Sequence, residues 1–264
     1  MAPKTLNLAD EARTIRKIPL FSGFTEEEKD ELFKDGRVTS YQRRQTIFRQ
    51  GDALQNLYIV CSGTVQVFRE TPDGREITLD ILSTGDIACT REIFELSSTH
   101  LANAIAVNDA VVMTLPKAWL VKTAQKNPMF ALNLLSVISR QSRMIEVDAE
   151  HQATMSAPQL VACFLQHQCA AHGFNPRGFE LPVSKSLIAS RLGMELETLS
   201  RSLPVLKKYG MTVKGKQVVF HDFPSIEQNV CSHCSVMDTC QARKLVRQKK
   251  DEVAQTLKTD FKLV

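Results

Sequence analysis

The sequence predicts an α+β fold: a β-roll in the N-terminal half, one long central helix, and a winged helix-turn-helix in the C-terminal half. Three observations predict it. Between Thr46 and Pro116, short β-branched or aromatic runs are punctuated by glycines. From Pro128 to about Glu150, apolar residues keep a helical period. From Ser184 to Phe220, two short helical patterns precede a glycine-centred pair of strands.

The N-terminal runs are Leu57 to Val60, Thr64 to Phe68, Ile77 to Leu82, and Ala104 to Leu115. Gly51, Gly63, Gly74 and Gly85 fall 12, 11 and 11 residues apart, as turns between strands of a meandering roll or sandwich would. Pro72-Asp73-Gly74 is a hairpin turn, since Pro presets one backbone angle and Gly accepts the left-handed one. These glycines read as turn residues rather than as a phosphate cradle.

Pro128 suits the first position of a helix, where its missing N–H costs nothing. Leu134, Ile138, Gln141, Ile145 and Asp148 then follow an a/d-like spacing, with Arg140 and Arg143 off that seam. A helix of roughly 20 residues spans about 30 Å and could lie along its own copy in a second chain. The alternative is that the seam packs on its own β-domain. A second helical region begins at Ser156 or Ala157, runs to about His172 and is broken by Asn175-Pro176-Arg177-Gly178. Ser184 is a good N-cap, Leu187, Ile188 and Leu192 keep helical spacing, and Gly193 allows a tight turn into the helix from Met194 to Leu203. Pro204 would remove a backbone bond and crowd the carbonyl of Ser200, so this helix should kink or stop early. Met211 to Phe220, centred on Gly215, reads as a two-stranded wing. The expected divisions are a roll at 1–127, a long helix at 128–150, a winged helix-turn-helix at 151–225, and a cysteine-containing extension at 226–264.

Bulk composition fits a two-domain globular chain: 264 residues, 43% hydrophobic and 23% charged. No apolar run reaches about eighteen residues, and Met1 to Lys17 carries charges rather than an apolar stretch. The expectation is a cytoplasmic protein without a membrane span. In a reducing compartment, seven cysteines read as thiols, metal ligands or redox groups rather than a disulfide framework. The net charge of +4 is unevenly spread: residues 151–264 hold 15 Lys plus Arg against 9 Asp plus Glu, the rest 18 against 20. A basic C-terminal part on a slightly acidic N-terminal part suits nucleic-acid binding, although a solvated lysine face would look similar.

From about Leu20 to His221 the sequence resembles the Crp/Fnr family of transcription regulators. The resemblance rests on Ile47-Phe48-Arg49-Gln50-Gly51-Asp52, Leu57-Tyr58-Ile59-Val60, Gly63-Thr64-Val65 and the helix-turn-helix. It implies a cyclic-nucleotide-binding-like roll (a double-stranded β-helix), a dimerisation helix, a homodimer on double-stranded DNA, and RNA polymerase as a further partner. In such proteins the second helix of the motif enters the major groove. There Glu197, Ser200 and Arg201 share one face at i, i+3 and i+4. Arg can bind guanine bidentately, Glu can accept from cytosine, and Ser can serve base or phosphate. The pattern Glu-x-x-Ser-Arg matches the Fnr branch, implying an inverted repeat of half-sites like TTGAT. The alternative for Glu197 and Arg201 is a surface ion pair.

Relatives that bind cyclic nucleotides use a Gly-Glu and an Arg-Ser pair. Here Cys89-Thr90 and Leu101-Ala102 stand in their places, and burying a phosphate without its arginine is costly, so cAMP is disfavoured. Arg91 could serve another anion. Haem, with His100 or Cys89 as axial ligand, is a further alternative.

Cys231, Cys234 and Cys240 form a C-x2-C-x5-C group. Three thiols within ten residues can converge on an iron–sulfur cluster, or on zinc if a fourth donor is found. The first sixty residues contain no cysteine, which excludes the N-terminal [4Fe–4S] arrangement of most Fnr-type oxygen sensors. The group instead resembles the Bacillus-type Fnr branch, with C-terminal cysteines and a carboxylate near the dimerisation helix, although its second spacing is five rather than four. Asp148 is the candidate carboxylate, and Glu146, Glu150, His233, Cys163 and Cys169 are alternatives. The last two sit in an apolar helix and read as core. The resemblance thus implies regulation by oxygen, redox state or nitric oxide. The alternative is a regulator gated by a small ligand or haem, with structural zinc at the cysteines. No nucleophile–base arrangement, Walker loop or HExxH motif points to an enzyme. The segment Gln241 to Val264 is lysine-rich and reads as a solvated tail with loose helical period.

Overall fold

A computed structural model describes residues 15–95, 99–171, 178–240 and 242–245, without the side chain of Leu32. The chain forms two compact units, Met1–Arg143 and Met144–Val264.

Among the described residues of the first unit, two 3-10 turns (Ile15–Lys17 and Pro19–Phe21) precede a short helix, α1 (Glu26–Lys34), started by a reciprocal cap in which Thr25 and Glu28 each satisfy the other's backbone N–H. Eight strands follow: β1 (Arg37–Tyr41), β2 (Thr46–Phe48), β3 (Asn56–Ser62), β4 (Val65–Glu70), β5 (Glu76–Leu82), β6 (Ile87–Ala88), β7 (Asn103–Ala106) and β8 (Ala110–Pro116). They make two four-stranded antiparallel sheets, ordered β1-β8-β3-β6 and β2-β7-β4-β5. This is the expected roll. Leu57, Ile59, Met113 and Leu115 pack on Leu20, Trp119 and Phe130, all buried, and each such side chain contributes about 1.5–3 kcal/mol of burial.

The turns fall where the glycines predict. Gly51, Gly63, Gly74 and Gly85 all have φ between 79° and 91°. Gly63 is the most constrained, because a Cβ there would stand 2.4 Å from the carbonyl oxygen of Asp109. The run Ala104 to Leu115 is not one strand. It breaks into β7 and β8 because the Asn108 and Asp109 side chains accept the backbone N–H groups of Thr64 and Arg43, holding a turn.

After α2 (Lys117–Lys126) comes the long helix α3 (Pro128–Thr154), four residues longer than predicted. In the first unit its apolar seam faces inward. Leu134 and Val137 are buried in the roll's core, Ile138 packs against it, and the Gln141 amide donates to the Ile87 carbonyl. The alternative reading of this seam therefore holds for Leu134, Ile138 and Gln141. A different set, Met129, Leu132 and Leu135, stands exposed, as do Met144 and Ile145.

The second unit contains the end of α3 and α4 (Ala157–Ala171), β9 (Phe179–Glu180), α5 (Lys185–Arg191), α6 (Leu196–Val205), β10 (Met211–Lys214), β11 (Gln217–Phe220) and α7 (Phe223–Asn229). Strands β10 and β11 pair antiparallel around Gly215, with β9 beside β11. Leu165, Leu199, Leu206, Val218 and Ile226 are buried at the core of this unit. The break at 175–177 and the tail from 246 onward lie outside the described residues. Among the described residues no helix is long and apolar enough to cross a membrane.

Candidate DNA interface and cysteine centre

Helix α5 starts at Ser184, whose hydroxyl accepts the Leu187 N–H at 3.3 Å. It ends at Gly193, which takes φ +64° and lets Met194 N–H reach the Ala189 carbonyl. Helix α6 follows with two unlike faces. Leu199 and Ser202 are buried, the Ser202 hydroxyl donating to the Thr198 carbonyl, while Glu197 and Arg201 are about three-quarters exposed. The helix runs through Pro204 and ends at Val205, two residues past the expected Leu203, before the chain tightens into a 3-10 turn at Leu206–Tyr209; Pro204 does not stop it.

The three residues singled out from the sequence share the outer face. Arg201 Nη2 donates to Glu197 Oε1 at 2.6 Å, and the Ser200 hydroxyl donates to the Leu196 carbonyl. The ion pair does not compete with a readout role, because a pair this exposed is worth at most about 1 kcal/mol. Lys214 and Lys216 stand exposed beside Gly215 at the tip of the wing.

The C-terminal cysteines lie in the same unit, at the short turn Cys231–His233 and the loop after it. The end of α3 and one face of α4 meet them. Cys231 Sγ donates to Gln166 Oε1 at 3.6 Å. Cys240 Sγ stands 3.7 Å from His167 Nε2. Cys234 Sγ stands 3.2 Å from His151 Nε2, and the other nitrogen of that ring is 4.0 Å from Cys163 Sγ. Cys163, Gln166 and His167 are one face of α4 at i, i+3 and i+4. The Ser235 backbone N–H and hydroxyl both donate to Glu150.

Electrostatics divides the four thiols into two pairs. Burial resists charge on Cys163, yet His151 and His167 outweigh it and hold this thiol well below its usual range. Cys240 is also lowered, its burial overcome by His167, and His167 is raised in return despite its own burial. Burial pushes Cys231 up to about 12 and also raises Cys234. The donors are soft sulfurs with imidazoles among them, a set that suits zinc or an iron–sulfur cluster. Among the described residues, no three His, Cys, Asp or Glu side chains are already closed around one point as a bound metal would hold them. The thiols are engaged by imidazole and amide partners instead.

Asp148, the expected carboxylate ligand, gives its Oδ2 to Arg191 at 2.5 Å. Glu146 and His233 are exposed, and Cys169 is buried. Cys163 is the residue whose expected place differs. It faces the thiols, whereas the apolar composition of α4 had suggested the core. His151 and His167 were not singled out in the sequence, although Cys163-x3-His167 is a one-turn spacing that could have been noticed.

One buried cation fastens the cysteine loop. Arg243 reaches Glu227 of α7 at 3.1 Å, Asp238 at 3.0 Å and the Met237 carbonyl at 3.3 Å. Arg243→Ala is expected to lower stability by about 2–4 kcal/mol, below the usual range for a broken buried pair because Asp238 is well exposed. Urea unfolding followed by circular dichroism measures it.

In the first unit, His100 is a satisfied core residue. Its ring stacks on Phe48 at 4.2 Å, with Nε2 3.3 Å from the Tyr58 hydroxyl and Nδ1 3.5 Å from Cys89 Sγ. Burial lowers its pKa, which favours the neutral ring. Thr90 is buried and bonds to Gln141, and the Leu101 carbonyl accepts from Arg69.

Two family models match the chain, a cyclic nucleotide-binding domain over residues 38–127 and a Crp-like helix-turn-helix domain over 159–228. The chain belongs to the Crp/Fnr family. It is a DNA-binding transcription regulator rather than an enzyme. It is 29% identical over 196 residues to the fumarate and nitrate reduction regulatory protein of Escherichia coli K12, covering 73% of this chain and 78% of that one. It is 29% identical over 189 residues to regulatory protein HlyX of Actinobacillus pleuropneumoniae, covering 70% and 78%. FixK2 from Bradyrhizobium japonicum shares the fold at a TM-score of 0.66 and 23% identity, over 74% of this chain and 97% of that one. The Crp-like match contains α6 and the wing and stops before Cys231. The cysteine loop lies beyond the matched span.

Proposed function

We propose that this Crp/Fnr regulator works as a homodimer on a TTGAT-type inverted repeat, and that a [4Fe–4S] cluster at Cys231, Cys234 and Cys240 makes its DNA affinity respond to oxygen, redox state or nitric oxide. In this reading the protein is cytoplasmic and meets RNA polymerase at its promoters. The exposed row Met129, Leu132 and Leu135, with Met144 and Ile145, supplies apolar surface for the partner subunit. Arg201, Glu197 and Ser200 read bases, while Lys214 and Lys216 hold phosphate.

One observation carries the sensing part: a single turn of α3 touches both the cysteine loop and the helix-turn-helix. Asp148 binds Arg191 of α5, and the Gln152 amide donates to the Leu192 carbonyl at 2.8 Å. Glu150 and His151, between them, hold Ser235 and Cys234. Seating or releasing the loop thus acts on the residues that position α5. A ligand shifts a two-state equilibrium only by its differential affinity for the two states, and this shared turn provides the difference. When bound, the cluster supplies the oxidant-sensitive bonds that make loop seating reversible.

Anaerobically prepared protein is expected to absorb broadly in the visible, lose that absorption in air, and bind the palindrome more tightly with its cluster than without. Equal affinity in both states would defeat the sensing reading. A second reading, structural zinc, is favoured by the two imidazoles beside the thiols. A colourless protein with stoichiometric zinc would select it.

Replacing Lys214 and Lys216 with alanine is expected to weaken binding to all sequences alike. The slope of log K against log salt should become shallower by about 1 for each phosphate that no longer meets a lysine. A salt titration by fluorescence anisotropy, repeated with random duplex, checks this.

A further inference from the structure

We infer that Cys163 of α4 is the fourth donor of the cysteine centre, completing an all-thiolate set with Cys231, Cys234 and Cys240 in place of a carboxylate. This rests on reading the C-terminal cysteines as a metal centre. Cys163 occupies the middle of the arrangement. His151 stands between it and Cys234, at 4.0 and 3.2 Å from the two sulfurs. His167, one turn along α4, leads from it to Cys240 at 3.7 Å. Gln166, on the same face, accepts from Cys231 at 3.6 Å. Every C-terminal thiol is therefore one side chain away from the α4 face that carries Cys163.

Asp148 is placed otherwise. Its carboxylate is committed to Arg191 at 2.5 Å, and recruiting it would break an ion pair that holds α5. A thiolate is also the better match for iron, because soft sulfur donors select iron–sulfur clusters over oxygen ligands. His151 and His167 then have a defined role. With the four sulfurs drawn to the metal, the imidazoles become hydrogen-bond donors to ligated thiolate and offset its charge, as outer partners of metal ligands do. Cys163 thus differs from a core residue such as Cys169, which is 1% exposed on the same helix.

The test is anaerobic reconstitution of the full chain with iron and sulfide, followed by iron and sulfide analysis and visible spectra, for the unaltered protein and for Cys163→Ala, Asp148→Asn, Cys240→Ala and Cys169→Ala. Cys163→Ala is expected to retain about a tenth or less of the iron, as Cys240→Ala does, while Asp148→Asn and Cys169→Ala load like the unaltered chain. Full loading of Cys163→Ala together with loss in Asp148→Asn overturns the inference and leaves the cluster reading intact. No iron uptake by the unaltered chain overturns both. Circular dichroism checks each variant for folding. A second measurement needs no variant: in the unaltered protein, Cys163 should become resistant to iodoacetamide as the cluster loads and regain reactivity when a chelator strips it. Alkylation of Cys163 that does not change with loading also overturns the inference.

Discussion

Arg201→Ala should sharply reduce the protein's sequence preference without touching its stability. A bidentate arginine–guanine contact is worth about 1–3 kcal/mol of discrimination, and a dimer on an inverted repeat makes it twice. The expected loss is thus roughly 2–6 kcal/mol, or about 30- to 10^4-fold in affinity for the palindrome. Binding to random duplex should change little, because it depends on phosphate contacts. Melting temperature should also hold, since Arg201 pairs with Glu197 where both side chains are more than 70% exposed. Glu197→Ala is the companion test. It should relax preference at one base pair per half-site while freeing Arg201 from its ion pair. Palindrome affinity that survives Arg201→Ala would mean that α6 does not present this face to the groove.

The same helix shows what a sequence does and does not disclose. The outer face of α6 was legible because helical period, the Ser184 cap and Gly193 all agree on where the motif begins and turns. The roll was legible through its glycines, whose positive φ values follow from turns that other residues enter only with strain. The split between β7 and β8 was not, because it depends on Asn108 and Asp109 finding Thr64 and Arg43 across the roll. The seam of α3 failed for a related reason. Period identifies an apolar stripe, but the roll and a second chain offer it equally apolar surroundings, and only the structure shows Leu134 and Ile138 turned inward.

Cys163 is harder to read from sequence. Helix α4 is apolar on average, so a cysteine in it reads as core. The informative feature was local: Cys163, Gln166 and His167 put a thiol, an amide and an imidazole on one face. That is a polar stripe on an otherwise apolar helix, and a stripe of this kind requires polar company. The C-x2-C-x5-C group supplies it from the far side of the wing, a separation over which sequence period carries no information.

Gly210→Ala should be strongly destabilising to the second unit, and Gly215→Ala provides its control. Both glycines have positive φ, +84° and +61°, so alanine at either position incurs about 1–2 kcal/mol of backbone strain. They differ in surroundings. Nothing lies within 4 Å of a Cβ at Gly215, whereas at Gly210 it would stand 2.0 Å from the Asp222 carbonyl oxygen. That neighbour is backbone and cannot swing aside, which adds roughly another 1–3 kcal/mol. Gly210→Ala should therefore cost about 2–5 kcal/mol and Gly215→Ala no more than about 2, read from urea midpoints at constant slope. The damage should also spread. The Gly210 carbonyl accepts the N–H groups of both His221 and Asp222, and Asp222 in turn caps α7 through Ser225. Helix α7 runs directly into Val230 and Cys231, so displacing Asp222 shifts the base of the cysteine loop. A Gly210→Ala protein that unfolds no earlier than Gly215→Ala would show that the 3-10 turn before β10 yields easily, and that the wing is not the rigid seat from which that loop departs.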